Sequence, residues 1–182
     1  TIFRDEICIE PDAILKGDYS SLTGIWCDAF WHWTLEYLPR IIMCERAGFK
    51  GIYFTHRAAP RFAIDSLQMM GISPDRLRVK PETYIAVERL WIPETVTATQ
   101  DLWRYPAIID ELRSRLLHAS EEIAPPISAQ HIYISRRSLD RPRKVVHEQE
   151  LIKLLSRWGF TTVYMEDFTF PQQVAIIKHA KA

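Results

Sequence analysis

The sequence has few cysteines, and their spacing excludes the common uses of that residue. Cys8, Cys27 and Cys44 are the three cysteines among 182 residues, and no two of them form a Cys-x-x-Cys pair. An odd and widely spread set indicates neither a disulfide framework nor a zinc knuckle. The cysteine content is therefore typical of a protein kept in a reducing compartment.

The sequence also lacks a long hydrophobic run. No apolar stretch approaches the about 20 residues that a membrane-spanning helix needs, and no secretory signal is present. We therefore expect a cytoplasmic location. The chain begins with Thr1 rather than Met, which is compatible with a removed leader or anchor.

The charges show no excess of one sign. The chain has 23 Lys and Arg against 23 Asp and Glu, so its formal net charge is 0. This balance excludes the global positive field of a general nucleic-acid coater or of a surface recruited to acidic lipid. The basic side chains gather locally instead, in the stretch HIYISRRSLDRPRK from His131 to Lys144.

The hydrophobic residues alternate between strand-like and helix-like periodicity. They make up 47% of the chain, enough to bury a substantial core. The alternation predicts an α/β protein. The stretch CDAFWHWTLEYLPRIIMCERAG predicts a buried helix that ends at Gly48 and that kinks or restarts at Pro39, because proline removes an amide donor.

The other patterns up to residue 120 predict three strands and two helices. The strands are GIYFTH, RLRVK and YIAVERLWIP. The helix RFAIDSLQMMG places Ala63, Leu67 and Met70 on one face. The helix YPAIIDELRSRLLHAS is predicted to point four aliphatic side chains inward, namely Ile109, Leu112, Leu116 and Leu117. We assign residues 1–120 to a first α/β domain.

A proline pair in EEIAPPISAQ marks the best linker candidate, and residues 121–182 form a second predicted domain. Its strands are HIYIS and FTTVYME. Its first helix, HEQELIKLLSRWG, has four apolar residues at helical spacing, Leu151, Leu154, Leu155 and Trp158. Its second helix begins with Thr169 and Gln172 at capping-box spacing and Pro171 in the first turn. This β-α-β-α pattern is half of a doubly wound sheet, so we expect the natural protein to be longer.

The cationic stretch lies between a predicted strand and a predicted helix. The carboxyl end of a strand and the amino end of a helix are where open α/β sheets bind anions. Guanidinium groups suit bidentate phosphate contacts, and Arg136, directly after the strand, is the most firmly aimed of them. Solvated loop charges explain the same pattern equally well. No glycine-rich loop accompanies it, which excludes a P-loop or a dinucleotide fingerprint.

His32 and Glu36 are four residues apart and share one face of the predicted helix. A carboxylate beside an imidazole can form a general base and the group that orients it. A core histidine satisfied by a neighbouring acid gives the same spacing and is at least as common. No HExxH pattern or second dense ligand pair indicates a metal.

Three stretches carry a family resemblance. They are HWTLEYLPRI, IYISRR and RKVVHEQELIKLLSRWGFTTVYMEDFTFPQQVAIIKHAKA. In this order they resemble glycosyltransferase family 61, which includes bacterial capsular polysaccharide biosynthesis proteins. The resemblance is specific from Ile132 to Ala182 and moderate from His32 to Ile41, while the region between carries little of it.

The resemblance implies a GT-B fold of two Rossmann-like domains, the second only partly present in this chain. It implies inverting transfer from a nucleotide sugar to a saccharide acceptor without a metal cofactor. In that setting Arg136 would hold the donor diphosphate, helped by the loop residues Arg137, Arg141 and Arg143. Peripheral membrane association through a lipid-linked acceptor, at the inner face of the membrane, is a further expectation.

The same resemblance assigns the acceptor side to the first domain. Either His32 or Glu36 would deprotonate the acceptor hydroxyl, and the residues alone do not choose between them. Arg40 would neutralise the acid or cap the helix.

The sequence departs from the family pattern in two ways, at one residue and at one segment. His147 stands where the family usually has Asn, directly before Glu148, so the ligand contacts at that helix start differ from the pattern. The family's His-Gly-Ala segment is absent after Ala182. Two alternatives also stay open, a noncatalytic relative and a phosphate-binding or nucleic-acid-binding module that uses the Arg-rich loop.

Overall fold

The computed structural model describes residues 10–94, 105–136 and 145–181. These residues divide into two compact units. The first comprises the residues up to Ala63 together with Ile72–Leu112, and the second comprises Ile64–Gly71 and the residues from Arg113 onward. The predicted division near residue 120 stays a prediction.

The first unit contains a four-stranded parallel sheet. Its strands are β1 (Ala13–Ser21), β2 (Ile52–Thr55), β3 (Leu77–Val79) and β4 (Ile85–Trp91), in the order β3-β2-β1-β4. Tyr19 pairs with Ile52 of β2 on one side and with Leu90 of β4 on the other. The strand order therefore reverses at β1, which lies between the second and the fourth strand of the chain.

The helical segment after β1 has three parts. A short helix α1 (Phe30–His32) leads into a π-helical segment (Trp33–Tyr37), and α2 (Leu38–Arg46) follows. Pro39 lies in the first turn of α2, where its missing amide hydrogen is not needed. The predicted restart at Pro39 and the predicted end at Gly48, whose φ is 88°, are both confirmed.

The core of the first unit is rich in aromatic rings. Tyr19 stacks on Phe54 with 5.0 Å between ring centroids, and Phe49 lies 4.9 Å from Tyr53. Leu38, Ile41 and Ile42 of α2 are fully buried. Glycine is required where α2 returns to the sheet, because a Cβ at Gly51 would collide with the carbonyl oxygen of Asp18.

Two further helices are α3 (Arg61–Met69) and α4 (Pro106–Ala119). Ala63, Leu67 and Met70 are buried, as predicted for one face of α3. For α4 the predicted set of buried residues was partly wrong. Leu112 and Leu116 are buried as predicted, but Ile108 is buried while Ile109 and Leu117 are only half-buried.

The second unit contains two parallel strands, β5 (Ile132–Ser135) and β6 (Thr161–Tyr164), with Ile134 opposite Val163. Helix α5 (Glu148–Arg157) precedes β6, and α6 (Phe170–His179) follows it. The predicted β-α-β-α order is confirmed. The predicted capping box at Thr169 and Gln172 is also present.

The four apolar residues noted in the α5 segment are only partly buried. Leu151 and Leu155 are half-buried, whereas Leu154 and Trp158 are 51% and 74% exposed. The α/β class is confirmed by the parallel four-stranded sheet. The two-domain GT-B architecture stays a prediction.

Candidate functional site

The His32–Glu36 pair lies on the connection that follows β1. The strand ends at Ser21, and the first helical residue is Phe30. In open α/β sheets, ligands bind outside the carboxyl ends of the strands at the point where the strand order reverses. The order β3-β2-β1-β4 places that point at β1. The predicted pair therefore lies on the connection that leaves the sheet at the strand where the order reverses.

The two side chains are in direct contact. His32 Nδ1 lies 3.0 Å from Glu36 Oε1, and the side chains are 26% and 18% exposed. An ionised carboxylate only accepts hydrogen bonds, so when the imidazole is neutral the tautomer that fits this contact has its proton on Nδ1, which donates the hydrogen bond to Glu36. In that tautomer Nε2 has the lone pair. The imidazole is therefore oriented by the carboxylate and is not fully buried.

Two tryptophans border the imidazole. The ring centroid of His32 is 4.8 Å from that of Trp26 and 4.9 Å from that of Trp31. The indoles are 63% and 46% exposed. The base candidate therefore has aromatic neighbours that also face solvent.

The π-helical segment anchors the loop before it. Tyr37 is buried, and its hydroxyl donates a hydrogen bond of 3.0 Å to the carbonyl oxygen of Ile25. Burial raises the pKa of Tyr37 above its ordinary value, which keeps the hydroxyl protonated as a donor. π-helical turns occur often at functional sites, because the extra residue changes where side chains point.

Arg40 packs against the ring of Tyr37, and its predicted roles stay predictions. Its guanidinium carbon lies 4.3 Å from the centroid of the Tyr37 ring, a cation–π contact. Its Nε is buried and has no hydrogen-bond partner among the described residues.

A second cluster joins strand β5 to helix α5. Glu148 Oε1 accepts hydrogen bonds from Ser135 Oγ at 2.6 Å and from Tyr133 Oη at 2.9 Å. The hydrogen bond to Glu148 raises the pKa of Tyr133, with a smaller contribution from burial. His147, directly before the helix, has a φ of 56°. Glu148 therefore fastens the amino end of α5 to the carboxyl end of β5.

Arg136 follows this cluster directly and is exposed. The other predicted phosphate ligands, Arg137, Arg141 and Arg143, lie outside the described residues, as does Lys144. The first turn of α5 already carries Glu148 and Glu150. These carboxylates complement the helix dipole and lower the positive potential at this end of α5.

Sequence reasoning missed three residues of these clusters. Tyr133 and Ser135 are two residues apart on β5, and strand alternation alone places them on one face. Glu148, an acid at the start of the next predicted helix, was a sequence signal for the residue that accepts their hydrogen bonds. Trp26 had no local signal, because its contact with His32 depends on a turn between Gly24 and Ala29.

In the described ranges, no group of three or more His, Cys, Asp or Glu side chains is arranged to hold a metal ion. None of the helices in those ranges has the length and apolar character to cross a membrane.

Comparison with known proteins identifies the class. Residues 30–182 match the family model described as Glycosyltransferase 61, and the chain belongs to this family. Its activity is therefore that of a glycosyltransferase, which joins a sugar from a donor to an acceptor. The resemblance read from the sequence motifs is confirmed. Neither the curated proteins nor the solved structures contain a match to the chain.

Proposed function

We propose that the protein transfers a sugar from a nucleotide-sugar donor to a hydroxyl of a saccharide acceptor with inversion. The hydrogen bond from His32 Nδ1 to Glu36 Oε1, located after the strand at which the sheet order reverses, is the observation that carries this proposal. The proposal includes two Rossmann-like domains of GT-B type. It also includes a role in capsular or exopolysaccharide synthesis on a lipid-linked acceptor at the cytoplasmic face of a membrane.

His32 is the general base in this proposal. Nε2 removes the proton from the acceptor hydroxyl while the oxygen attacks the anomeric carbon from the face opposite the diphosphate. A new C–O bond forms, the bond to the diphosphate oxygen breaks, and the nucleoside diphosphate leaves with the bonding electrons. Glu36 holds the ring in the required tautomer and stabilises the imidazolium that results. The contact between His32 Nδ1 and Glu36 Oε1 supports His32 rather than Glu36 as the base.

Arg136 is assigned to the donor diphosphate. It is exposed and directly follows Ser135, whose side chain is fixed by Glu148. A guanidinium is permanently charged and can hold two phosphate oxygens at once. Since cationic side chains neutralise the leaving group, we propose that no metal is required, and a chelator is expected to leave the transfer rate unchanged.

The base is tested by His32→Asn and Glu36→Gln in the full-length protein, assayed with a panel of nucleotide sugars. His32→Asn should lower kcat by about 10²- to 10⁴-fold, because proton removal is lost. Glu36→Gln should lower kcat with little change in donor affinity. His118→Asn is the matched control, since His118 pairs with Glu121 at helical spacing but is 82% exposed.

Transfer at the wild-type rate by both His32→Asn and Glu36→Gln would show that this pair is not the catalytic base. A noncatalytic relative predicts no transfer by any form of the protein, wild type included.

The donor site is tested by Arg136→Ala. Loss of one preorganised contact to the leaving group is expected to reduce kcat by about 10²- to 10³-fold and to weaken nucleotide-sugar binding in calorimetry. Arg157→Ala, which removes an exposed cation from the last turn of α5, should leave both unchanged. Equal binding by the Arg136 variant and the wild type would contradict the assignment.

A further inference from the structure

The connection after β1 exposes an aromatic surface next to the proposed base. Trp26 is 63% exposed although one part of its ring contacts His32, at an angle of 33° between the ring planes. Trp31 is 46% exposed and contacts the same imidazole edge-on, at 85°. Trp33, two residues later, is 2% exposed and serves the core. The two exposed indoles are thus distinct from the tryptophan that stabilises the fold.

The position of Trp26 is fixed by the chain around it. Its φ is 61°, in the left-handed region that bulky residues rarely adopt. Its carbonyl oxygen accepts a hydrogen bond of 2.9 Å from Ala29 N, and the neighbouring Ile25 carbonyl accepts the bond from Tyr37. Strained backbone that persists near an active site is a recognised sign of function. The backbone at Trp26 is therefore held in one conformation next to His32.

An indole offers a large apolar face with negative charge density. The C–H groups on one face of a pyranose carry partial positive charge, so a sugar ring and an indole ring attract each other when they stack. The chain belongs to a family that transfers sugars, and the ring borders the imidazole that removes the acceptor proton. An acceptor sugar held against Trp26 would have its hydroxyl groups next to His32.

We propose that the exposed face of the Trp26 indole, together with Trp31, is the subsite for a pyranose ring of the acceptor. This subsite rests on the proposed function, because it is the proposed role of His32 that makes the neighbouring sugar the acceptor rather than the donor. Trp26 is a binding residue in this assignment and takes no part in proton transfer.

The test is fluorine NMR on full-length protein labelled with fluorotryptophan. The Trp26 and Trp31 resonances are assigned from Trp26→Gly and Trp31→Phe. The probes are the methyl β-glycosides of glucose, galactose and N-acetylglucosamine, which all present an apolar pyranose face. Both resonances should shift with added glycoside, whereas the Trp158 resonance, from a side chain that is 74% exposed in the second unit, should not.

Glu36→Gln separates the subsite from the catalytic proposal. Stacking does not need the carboxylate, so this variant should show the same shifts as the wild type. Shifts at Trp26 combined with full transfer by Glu36→Gln would leave the subsite standing and remove the catalytic assignment. No shift at Trp26 with any glycoside, while transfer depends on Glu36, would remove the subsite and leave the catalytic assignment.

Steady-state kinetics of sugar transfer provide a second test of the subsite. Trp26→Gly keeps a residue that tolerates the left-handed backbone, so the loop can fold without the ring. The acceptor KM should rise about two- to tenfold, the range expected for one aromatic contact, while the donor KM stays unchanged. Trp158→Ala should change neither. A shift of the Trp26 resonance with phosphatidylcholine and phosphatidylglycerol vesicles, but not with glycosides, would overturn the subsite in favour of a membrane contact.

Discussion

At the scale of single residues, the loop between β1 and α1 depends on close packing around the Tyr37 hydroxyl. This hydroxyl donates to the Ile25 carbonyl, and a Cβ added at Gly24 would lie 2.5 Å from it. The absence of a side chain at position 24 is therefore what lets the loop close over Tyr37. Through Ile25, the same contact fixes the neighbouring Trp26.

Gly24→Ala is expected to lower the free energy of unfolding by about 1–3 kcal/mol, the usual result of forcing an extra methyl group into a packed site. In a Tyr37→Phe background the colliding oxygen is gone, so the same substitution should cost less. Urea denaturation of the four variants gives this double-mutant cycle. An equal cost in both backgrounds would show that the collision with Tyr37 is not the cause.

A site residue could be predicted when its contact follows from regular helical or strand spacing. His32 and Glu36 were found because a helical spacing of four residues brings them together, and the structure places them 3.0 Å apart. Whether Nδ1 or Nε2 faces the acid was not readable from spacing, and it is this detail that favours His32 as the base. The contact of Trp26 with His32 required the fold of a loop, for which no periodic signal exists.

At the scale of secondary-structure elements, the junction of β5 and α5 is held by one carboxylate. Glu148 accepts from both Tyr133 and Ser135. The predicted helix start was right because its acidic first turn is a local signal. The π-helical segment was not predicted, since its widened turn has the same apolar composition as a regular helix.

Glu148→Gln should lower the pKa of Tyr133 toward its ordinary value, since the hydrogen bond to the carboxylate is the main cause of the raised pKa. In the wild type this bond contributes to stability in full below about pH 10, the value for tyrosine in an unfolded chain. The contribution is lost as the pH rises from there through the raised pKa.

The measurement is carbon NMR of ring-labelled tyrosine, titrated in both proteins, together with urea unfolding between neutral and alkaline pH. The wild type should lose more stability than Glu148→Gln above about pH 10. Tyr37, whose pKa is also raised by burial, contributes equally to the pH dependence of both proteins. Subtracting the curve of unfolding free energy against pH of one protein from that of the other removes this contribution. Identical titration of Tyr133 in both proteins would contradict the bond to Glu148.

At the scale of the whole molecule, the class of fold followed from the alternation of patterns, but the strand order did not. The pairing of β1 with β4 joins residues about 70 positions apart, such as Ala13 with Ile85, and no local signal specifies it. The burial in α4 was misjudged for a related reason. The spacing of the apolar residues shows only that α4 has an apolar face. The elements that pack against this face determine whether Ile108 or Ile109 is buried.

Balanced charge predicts weak interaction with nucleic acid. The formal net charge is 0, so no overall positive field draws the protein to the phosphate backbone. A single-stranded oligonucleotide should bind more weakly than a nucleotide sugar at physiological salt, as measured by calorimetry. A steep loss of oligonucleotide affinity with added salt, starting from an affinity above that for nucleotide sugars, would instead support a nucleic-acid-binding module.

Trp26 and His147 are the two described non-glycine residues with positive φ, and each adjoins one of the proposed ligand sites. A laboratory selection for heat resistance alone should therefore accept Gly at position 26 and Asn at position 147, because both residues tolerate that backbone better. Heat-resistant survivors with weakened binding of acceptor or donor would reveal which of the two positions serves a ligand at the expense of stability.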